Sequence, residues 1–303
     1  MTVTLVHLQA PQLAPYQAGL AKLEADIRYP IADGADAFRI EHGERYGDFF
    51  AGLGDAHFLL ALDGGCVVGT CAAVARWARC GPRRIRALYG ADFKLAAAYR
   101  GGRLARRYLY RGLVDVLRPS IRRQWPWRIA YVAAMRGARG DVMRSKRGVF
   151  NPMRLARTLA SLAVYFVEPA ALERLSGTCP PPPADSGLDL SPDARQRPDG
   201  TVTTTGTKDL RLESTGRPWP LVHLPLGPAA WRPTWGHYLC RAGATLVGTG
   251  TTACFAIDER LGDHVAWLGS HGITPGATCT IYALTLPFTV GAVPWVHLAT
   301  SEI

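Results

Sequence analysis

The stretch Ala91-Asp-Phe-Lys-Leu-Ala-Ala-Ala-Tyr-Arg-Gly-Gly-Arg-Leu-Ala-Arg-Arg-Tyr-Leu109 decides the fold class. Its first half reads as a strand, its middle as a tight basic turn, and its end as the start of a helix. Such a turn aims backbone N–H groups and the positive end of a helix dipole at one point, which suits a pyrophosphate. Gly101 and Gly102 let the main chain approach a ligand closely, and Arg100, Arg103 and Arg106 add charge-assisted donors. The helix dipole disfavours cations at a helix start, so this crowd of arginines itself argues for a bound anion. Arg107, one position further, is expected to face solvent.

Outward from that segment the chain reads as alternating strands and helices. Val3–Leu8 is strand-like, and the spacing predicts helices over about 16–27 and about 35–52. Two apolar runs around Asp63-Gly64-Gly65 predict a hairpin. Strands are expected over about 86–98 and 127–135, with a helix over about 102–117 between them and a short helix over 140–146. Residues 155–167 read equally as a strand or an apolar helix. The run Cys179-Pro-Pro-Pro-Pro-Ala-Asp-Ser-Gly187 marks a proline-rich linker over 176–200. It separates a first domain, 1–175, from a smaller second one, 201–303, whose Thr, Val, Trp and Gly content predicts mostly β structure. Gly65-Cys-Val-Val-Gly-Thr-Cys-Ala-Ala73 is similar to Ala244-Thr-Leu-Val-Gly-Thr-Gly-Thr-Thr252, either by chance or because the second unit is a shortened copy of the first.

Composition bounds the function. The chain has 303 residues, 48% hydrophobic and 19% charged, as in a folded soluble protein. It shows neither an apolar run long enough to span a membrane nor a secretory signal, so a cytoplasmic location is expected. The seven cysteines form no Cys-x-x-Cys pair and no metal spacing. Cys66, Cys71, Cys254 and Cys279 are expected to pack in the core. The net charge is +11, and between Arg76 and Arg157 the only acids are Asp92, Asp115 and Asp141. A basic field of that density implies an anionic partner: nucleotide phosphates, an acidic carrier protein, a nucleic acid or a membrane surface. The histidines do not cluster, and no metal is expected.

The order of hairpin, long strand, Tyr99-Arg100-Gly101-Gly102-Arg103-Leu104-Ala105 turn, helix and strand resembles the GNAT superfamily of N-acetyltransferases over residues 1–170. The family motif, Arg/Gln-x-x-Gly-x-Gly/Ala, is matched at Arg100 and Ala105, while Arg103 replaces the middle glycine. The resemblance implies a mixed α/β sheet flanked by helices, with a second unit that is mostly β or a degenerate GNAT-like copy. It also implies acetyl-CoA or another acyl-CoA, its pyrophosphate on Arg100–Arg106 and its pantetheine beside Phe93, Leu95 and Ala96. In the family the fourth and fifth strands splay to admit the pantetheine, and here those strands would be 86–98 and 128–135. A neutral amine would attack the thioester while a backbone N–H of the fourth strand steadies the oxyanion. The acceptor would be the amine of a small molecule or peptide. The arginine-rich connection 118–128 exceeds what a coenzyme needs, and would suit a variant that draws a long acyl chain from an acyl carrier protein.

The catalytic side chains are less clearly marked. Asp92 reads either as the group that takes a proton from the incoming ammonium or as an ion-pair partner of Lys94. The family often has a tyrosine after the fifth strand to protonate the thiolate; residues 140–148 contain none, and Ser145 is the nearest hydroxyl. Glu41 and Glu44 read as anchors for a cationic substrate or as a solvated helix face. His237, beside Trp235 and Tyr238, is a further candidate for the acceptor pocket. A catalytically silent nucleic-acid-binding module is the competing reading, with Trp125, Trp127 and Tyr131 able to stack bases.

Overall fold

Asp63-Gly64-Gly65-Cys66 turns with both glycines in the left-handed region, φ 57° and 85°, which matches the twist of the strands it joins. The computed structural model describes residues 3–31, 34–100, 127–135, 156–194, 200–231, 234–285 and 290–303, together with positions 104, 107, 110 and 111. The strands are β1 (Thr4–Gln9), β2 (Tyr29–Ile31), β3 (Asp36–Glu41), β4 (Asp55–Asp63), β5 (Cys66–Cys80), β6 (Arg83–Leu95), β7 (Ile129–Met135), β8 (Arg157–Val167), β9 (Leu188–Asp189), β10 (Asp209–Leu212), β11 (Leu221–His223), β12 (Thr252–Asp258), β13 (Ala277–Thr285) and β14 (Val296–His297). The helices are α1 (Gln17–Ala25), α2 (Tyr46–Leu53), α3 (Pro169–Glu173), α4 (Trp235–Leu246) and α5 (Gly262–Ser270).

One mixed sheet runs β1-β4-β5-β6-β7-β13-β8-β12-β11, and β2, β3 and β10 form a second, small one. The fold class expected from the sequence, a mixed α/β sheet flanked by helices, is the one observed. Side chains alternate between the two faces. Leu162 and Val164 of β8 and Cys254 and Ala256 of β12 enter the main core. Their neighbours Ala163, Tyr165, Ala253 and Phe255 enter a second core against α4. On the main-core face, Tyr46, Phe50 and Phe58 are almost fully buried, and Phe50 meets Phe58 edge to face at 5.5 Å. Each such side chain contributes about 1.5–3 kcal/mol through burial. On the opposite face of the first half, Leu59, Ala61, Val68 and Leu95 form a small cluster that Phe93, Ala96, Tyr99 and Leu104 extend.

Several expectations change. The helix over 35–52 is instead β3, a short loop and α2. Phe38 and Ile40 alternate with polar neighbours, and β3 gains partners in β2 and the distant β10. Residues 157–167 are a strand. Residues 201–303 contain α4 and α5 beside their strands, so this part is mixed rather than mostly β. The local repeat is not structural: Gly65–Ala73 covers a turn and a strand, whereas Ala244–Thr252 ends α4 and crosses a loop into β12. Cys66 is exposed at its hairpin and Cys71 partly so, while Cys254 and Cys279 are buried as expected. Within the proline-rich segment, Leu188–Asp189 forms β9 on the edge of β5. The helix over 102–117 is described only at Leu104, Arg107, Tyr110 and Arg111, which are helical, and 140–146 lies outside the described residues.

Candidate functional site

The centre of the molecule is organised by an irregularity in β6. Ala91 pairs with Ala72 and Lys94 with Thr70, so two residues of β6 face one of β5. Asp92 takes up the surplus with φ 53°, the one non-glycine residue in the left-handed region among those described. The bulge shifts the phase of the strand, so that Ala91 and Lys94 share the main-core face while Phe93 and Leu95 turn to the opposite one. At the same point the sheet opens. β6 pairs with β7, in parallel, only from Ala87↔Ile129 to Gly90↔Val132, although β6 continues to Leu95 and β7 to Met135. Beyond Gly90, β7 stays with β13 and β6 stays with β5.

Against this opening, on the main-core face, lies a buried charged cluster. Lys94 Nζ stands 2.7 Å from Glu24 Oε1 and 2.6 Å from Asp92 Oδ1. His42 Nδ1 lies 2.5 Å from Glu24 Oε1, and the His42 amide donates to Glu24 Oε2. The Tyr46 hydroxyl donates to Asp92. Burial acts to raise both carboxyl groups, but the His42 and Lys94 interactions of Glu24, and those of Asp92 with Lys94, His42 and Tyr46, outweigh it. Both end below the usual carboxylate range. Burial acts to lower Lys94, but Asp92, Tyr29 and Glu24 hold its ammonium well above the ordinary value. Donor atoms of Glu24, His42 and Asp92 all lie within 4.8 Å of one another, a spacing open to a metal, but Lys94 supplies the cation of this group.

A second buried network ties the end of the described chain to the first half. Arg76 bonds both oxygens of Glu302, at 2.6 and 3.0 Å, and Tyr89 Oη donates to the Glu302 carbonyl at 2.7 Å. Ser191 also donates to Glu302, and Asp189 pairs with His297 at 2.7 Å. Between the two networks sits Lys208, whose Nζ donates to the Ile303 main-chain oxygen and lies 5.0 Å from the centre of the Phe49 ring.

The chain matches no protein-family profile and no curated protein. Solved structures do match. A tandem GNAT protein from the clavulanic acid biosynthesis pathway aligns at 11% identity over 94% of this chain and 98% of its own, with a TM-score of 0.50. Saccharomyces cerevisiae N-myristoyltransferase with bound myristoyl-CoA aligns at 9% identity over 98% of this chain and 81% of its own, with a TM-score of 0.54. The fold is that of the GNAT N-acetyltransferases. At these identities the likeness speaks for the fold alone, and it runs through both halves of the chain.

Within the GNAT fold the sequence-predicted residues divide into three groups. Asp92, Phe93, Leu95 and Ala96 lie on or just after the bulged end of β6. Arg100 follows it, with Nε donating back to the Leu95 carbonyl at 2.8 Å, and Leu104 packs on the cluster of Leu95 and Phe93. Gly101, Gly102, Arg103, Ala105, Arg106 and Ser145 lie outside the described residues. Glu41 and Glu44 are not on a helix: Glu41 pairs with Arg211 of β10 at 3.0 Å, and Glu44 is exposed in the loop before α2. His237 is exposed on α4. For Asp92, the ion pair with Lys94 is the arrangement that forms. Glu24, His42, Tyr46 and Lys208 were not singled out from the sequence as site residues. Glu24 left a trace, since it falls on the same helical stripe as Leu20 and Leu23, where an acid needs a partner. His42 and Lys208 left none, because only the pairing of distant strands brings them inward.

Proposed function

We propose that the chain is an acyl-CoA-dependent N-acyltransferase that forms an amide between the donor's acyl group and an amine of a small molecule or peptide. The observation that carries this reading is the parting of β6 and β7 immediately after Gly90 and Val132, beside the basic turn at Tyr99–Arg100. A pantetheine arm fits such a gap from the side of Phe93, Leu95 and Leu104, where the lining is apolar. The thioester carbonyl would then reach the bulge at Asp92, and the acceptor would meet it from the main-core face, under α1 and α2. The amine nitrogen forms the new C–N bond, the C–S bond breaks, and the thiolate takes up a proton. Positioning does most of the work in such a transfer.

In this proposal Asp92, Lys94, Glu24, His42 and Tyr46 hold the bulge and present fixed charge to the incoming ammonium. A carboxylate kept below its ordinary range orients an ammonium better than it stores its proton. Arg100 to Arg106 supply the pyrophosphate contacts. The donor's chain length is set by the depth of the apolar lining. Calorimetric titrations with acetyl-CoA, myristoyl-CoA and free CoA measure it, alongside thermal unfolding. Saturation at a hundred times Kd adds about 2.7 kcal/mol to stability, a rise of several degrees in Tm. Unfolding that none of the three ligands shifts would overturn the proposal, and salt-dependent binding of RNA or DNA in their place would favour a nucleic-acid module.

A further inference from the structure

The basic turn after β6 has little packing of its own. Residues 97–99 form one short 3-10 turn, in which the Tyr99 amide donates to the Ala96 carbonyl at 2.9 Å and the Arg100 amide to the Ala97 carbonyl at 3.2 Å. Ala97 and Ala98 are exposed and offer only methyl groups. A segment with so few buried contacts opens easily unless something else holds it. Three further bonds tie it down. The Ala96 amide donates to the Val68 carbonyl of β5 at 2.9 Å, and Arg100 Nε donates to the Leu95 carbonyl at 2.8 Å. The third is made by a side chain at each end: Tyr99 Oη donates to Asp63 Oδ2 at 2.5 Å.

That third bond joins segments 36 positions apart, and its acceptor stands on rigid structure. Asp63 is the last residue of β4 and opens the Gly64-Gly65 turn, opposite Cys66. Its neighbour Leu62 is paired on both sides, with Thr4 of β1 and Val67 of β5. The Tyr99 ring packs on the apolar cluster of Leu59, Val68 and Leu95, beside Leu104, so packing aims the ring and Asp63 fixes its tip. A hydrogen bond to a carboxylate is among the stronger kinds. It raises the Tyr99 phenol above its ordinary value, which keeps the hydroxyl a donor at neutral pH. Charge alone would argue against an acid here, because a carboxylate near the basic turn repels phosphate. The bond to Tyr99 gives that acid a reason to be present.

We propose that Asp63 and Tyr99 are positioning residues for the acyl donor: their hydrogen bond holds the turn that carries Arg100 against the β4–β5 hairpin, so the donor's pyrophosphate meets a preformed site. The inference rests on the acyltransferase reading above. Neither side chain touches the reacting atoms; both act through Arg100, the residue after Tyr99. Without the bond the turn samples more positions, and ordering it then costs part of the binding free energy. The loss of one such bond should raise the Kd of the donor about three- to tenfold.

The test titrates CoA into the whole protein by calorimetry and follows thermal unfolding without CoA, for the natural chain and for Tyr99→Phe, Asp63→Ala, Asp63→Asn and the double variant Asp63→Ala/Tyr99→Phe. Tyr99→Phe and Asp63→Ala should each weaken CoA binding by that factor, and the double variant should be no weaker than either, because all three lack the same bond. Asp63→Asn keeps an acceptor oxygen for Tyr99 and should lose less affinity than Asp63→Ala. Without CoA, the Tm values should stay near that of the natural chain. Unchanged binding in Tyr99→Phe, or tighter binding in Asp63→Ala as charge alone would give, overturns this inference and leaves the acyltransferase reading standing. So does a loss of affinity matched by a fall in Tm without CoA, which would make the pair a contact of the fold. A natural chain that does not bind CoA removes both.

Discussion

Asp92 shows how one residue can have several candidate roles in sequence and a single set of partners in space. Its carboxylate is bonded by Lys94 and Tyr46, and Lys94 is shared with Glu24. Removing the cation leaves both acids buried without it, so Lys94→Met should lower stability by about 3–5 kcal/mol in urea unfolding. The pH dependence follows from the direction of the carboxyl shifts. Glu24 and Asp92 are lower in the folded state than in the unfolded chain. Their contribution is therefore complete above the ordinary carboxylate range and is lost as the pH falls through the folded values. In Lys94→Met the lowering of Asp92 loses its largest cause while His42 still holds Glu24, so the loss of stability on acidification should be shallower than in the natural chain. A variant as stable as the natural chain at pH 7 would mean that the cluster does not depend on its lysine. Asp92 and Lys94 were legible as a pair because they are two positions apart. Glu24, His42 and Tyr46 were not, since three separate elements must fold before those side chains meet.

Among the elements, β6 holds both the bulge and the opening in the sheet. Its apolar residues and flanking turns made it readable as a strand, and the Gly64-Gly65 turn made its neighbouring hairpin readable too. The parting from β7 was expected only through resemblance and the bulge not at all, because a register shift depends on the partner strand. Gly90 marks the last paired position, and a Cβ built there would come within 2.9 Å of Val132 Cγ1. Gly90→Ala should therefore cost about 1–3 kcal/mol by overpacking, and Val132→Ala should recover part of that loss in the double variant. Equal costs with and without the second change would place the strain in the backbone rather than at this contact. The helix expected over 35–52 gives way for a similar reason, the pull of a distant partner strand. Phe38, Ile40, Phe49 and Phe50 fit one helical pattern loosely, but β10, some 170 residues later, offers β3 hydrogen bonds that a helix would forgo.

For the molecule as a whole, the proline-rich segment divides the chain in sequence while the hydrogen bonding does not divide there. β13 lies between β7 and β8, and Glu302 reaches back to Arg76 and Tyr89. A protein consisting of residues 1–175 would leave facing edges of β7 and β8 unpaired, and exposed apolar edges associate. Expressed alone it should be insoluble or unfolded. Co-expression with residues 176–303 should restore a soluble complex with the circular dichroism of the intact chain. A monomeric, cooperatively folding 1–175 would show that the first half needs nothing from the second. Strands β1, β4, β5, β6 and β7, the hairpin turn, the basic turn after Tyr99 and the excess of positive charge are local properties, set by side-chain spacing, glycine placement and composition, and they could be read in order along the chain. The insertion of β13, the burial of the two lysines and the closeness of Glu24, His42 and Asp92 come from pairing between segments far apart in sequence. Contacts of that kind are chosen by the packing of complete faces, which no short stretch of residues encodes.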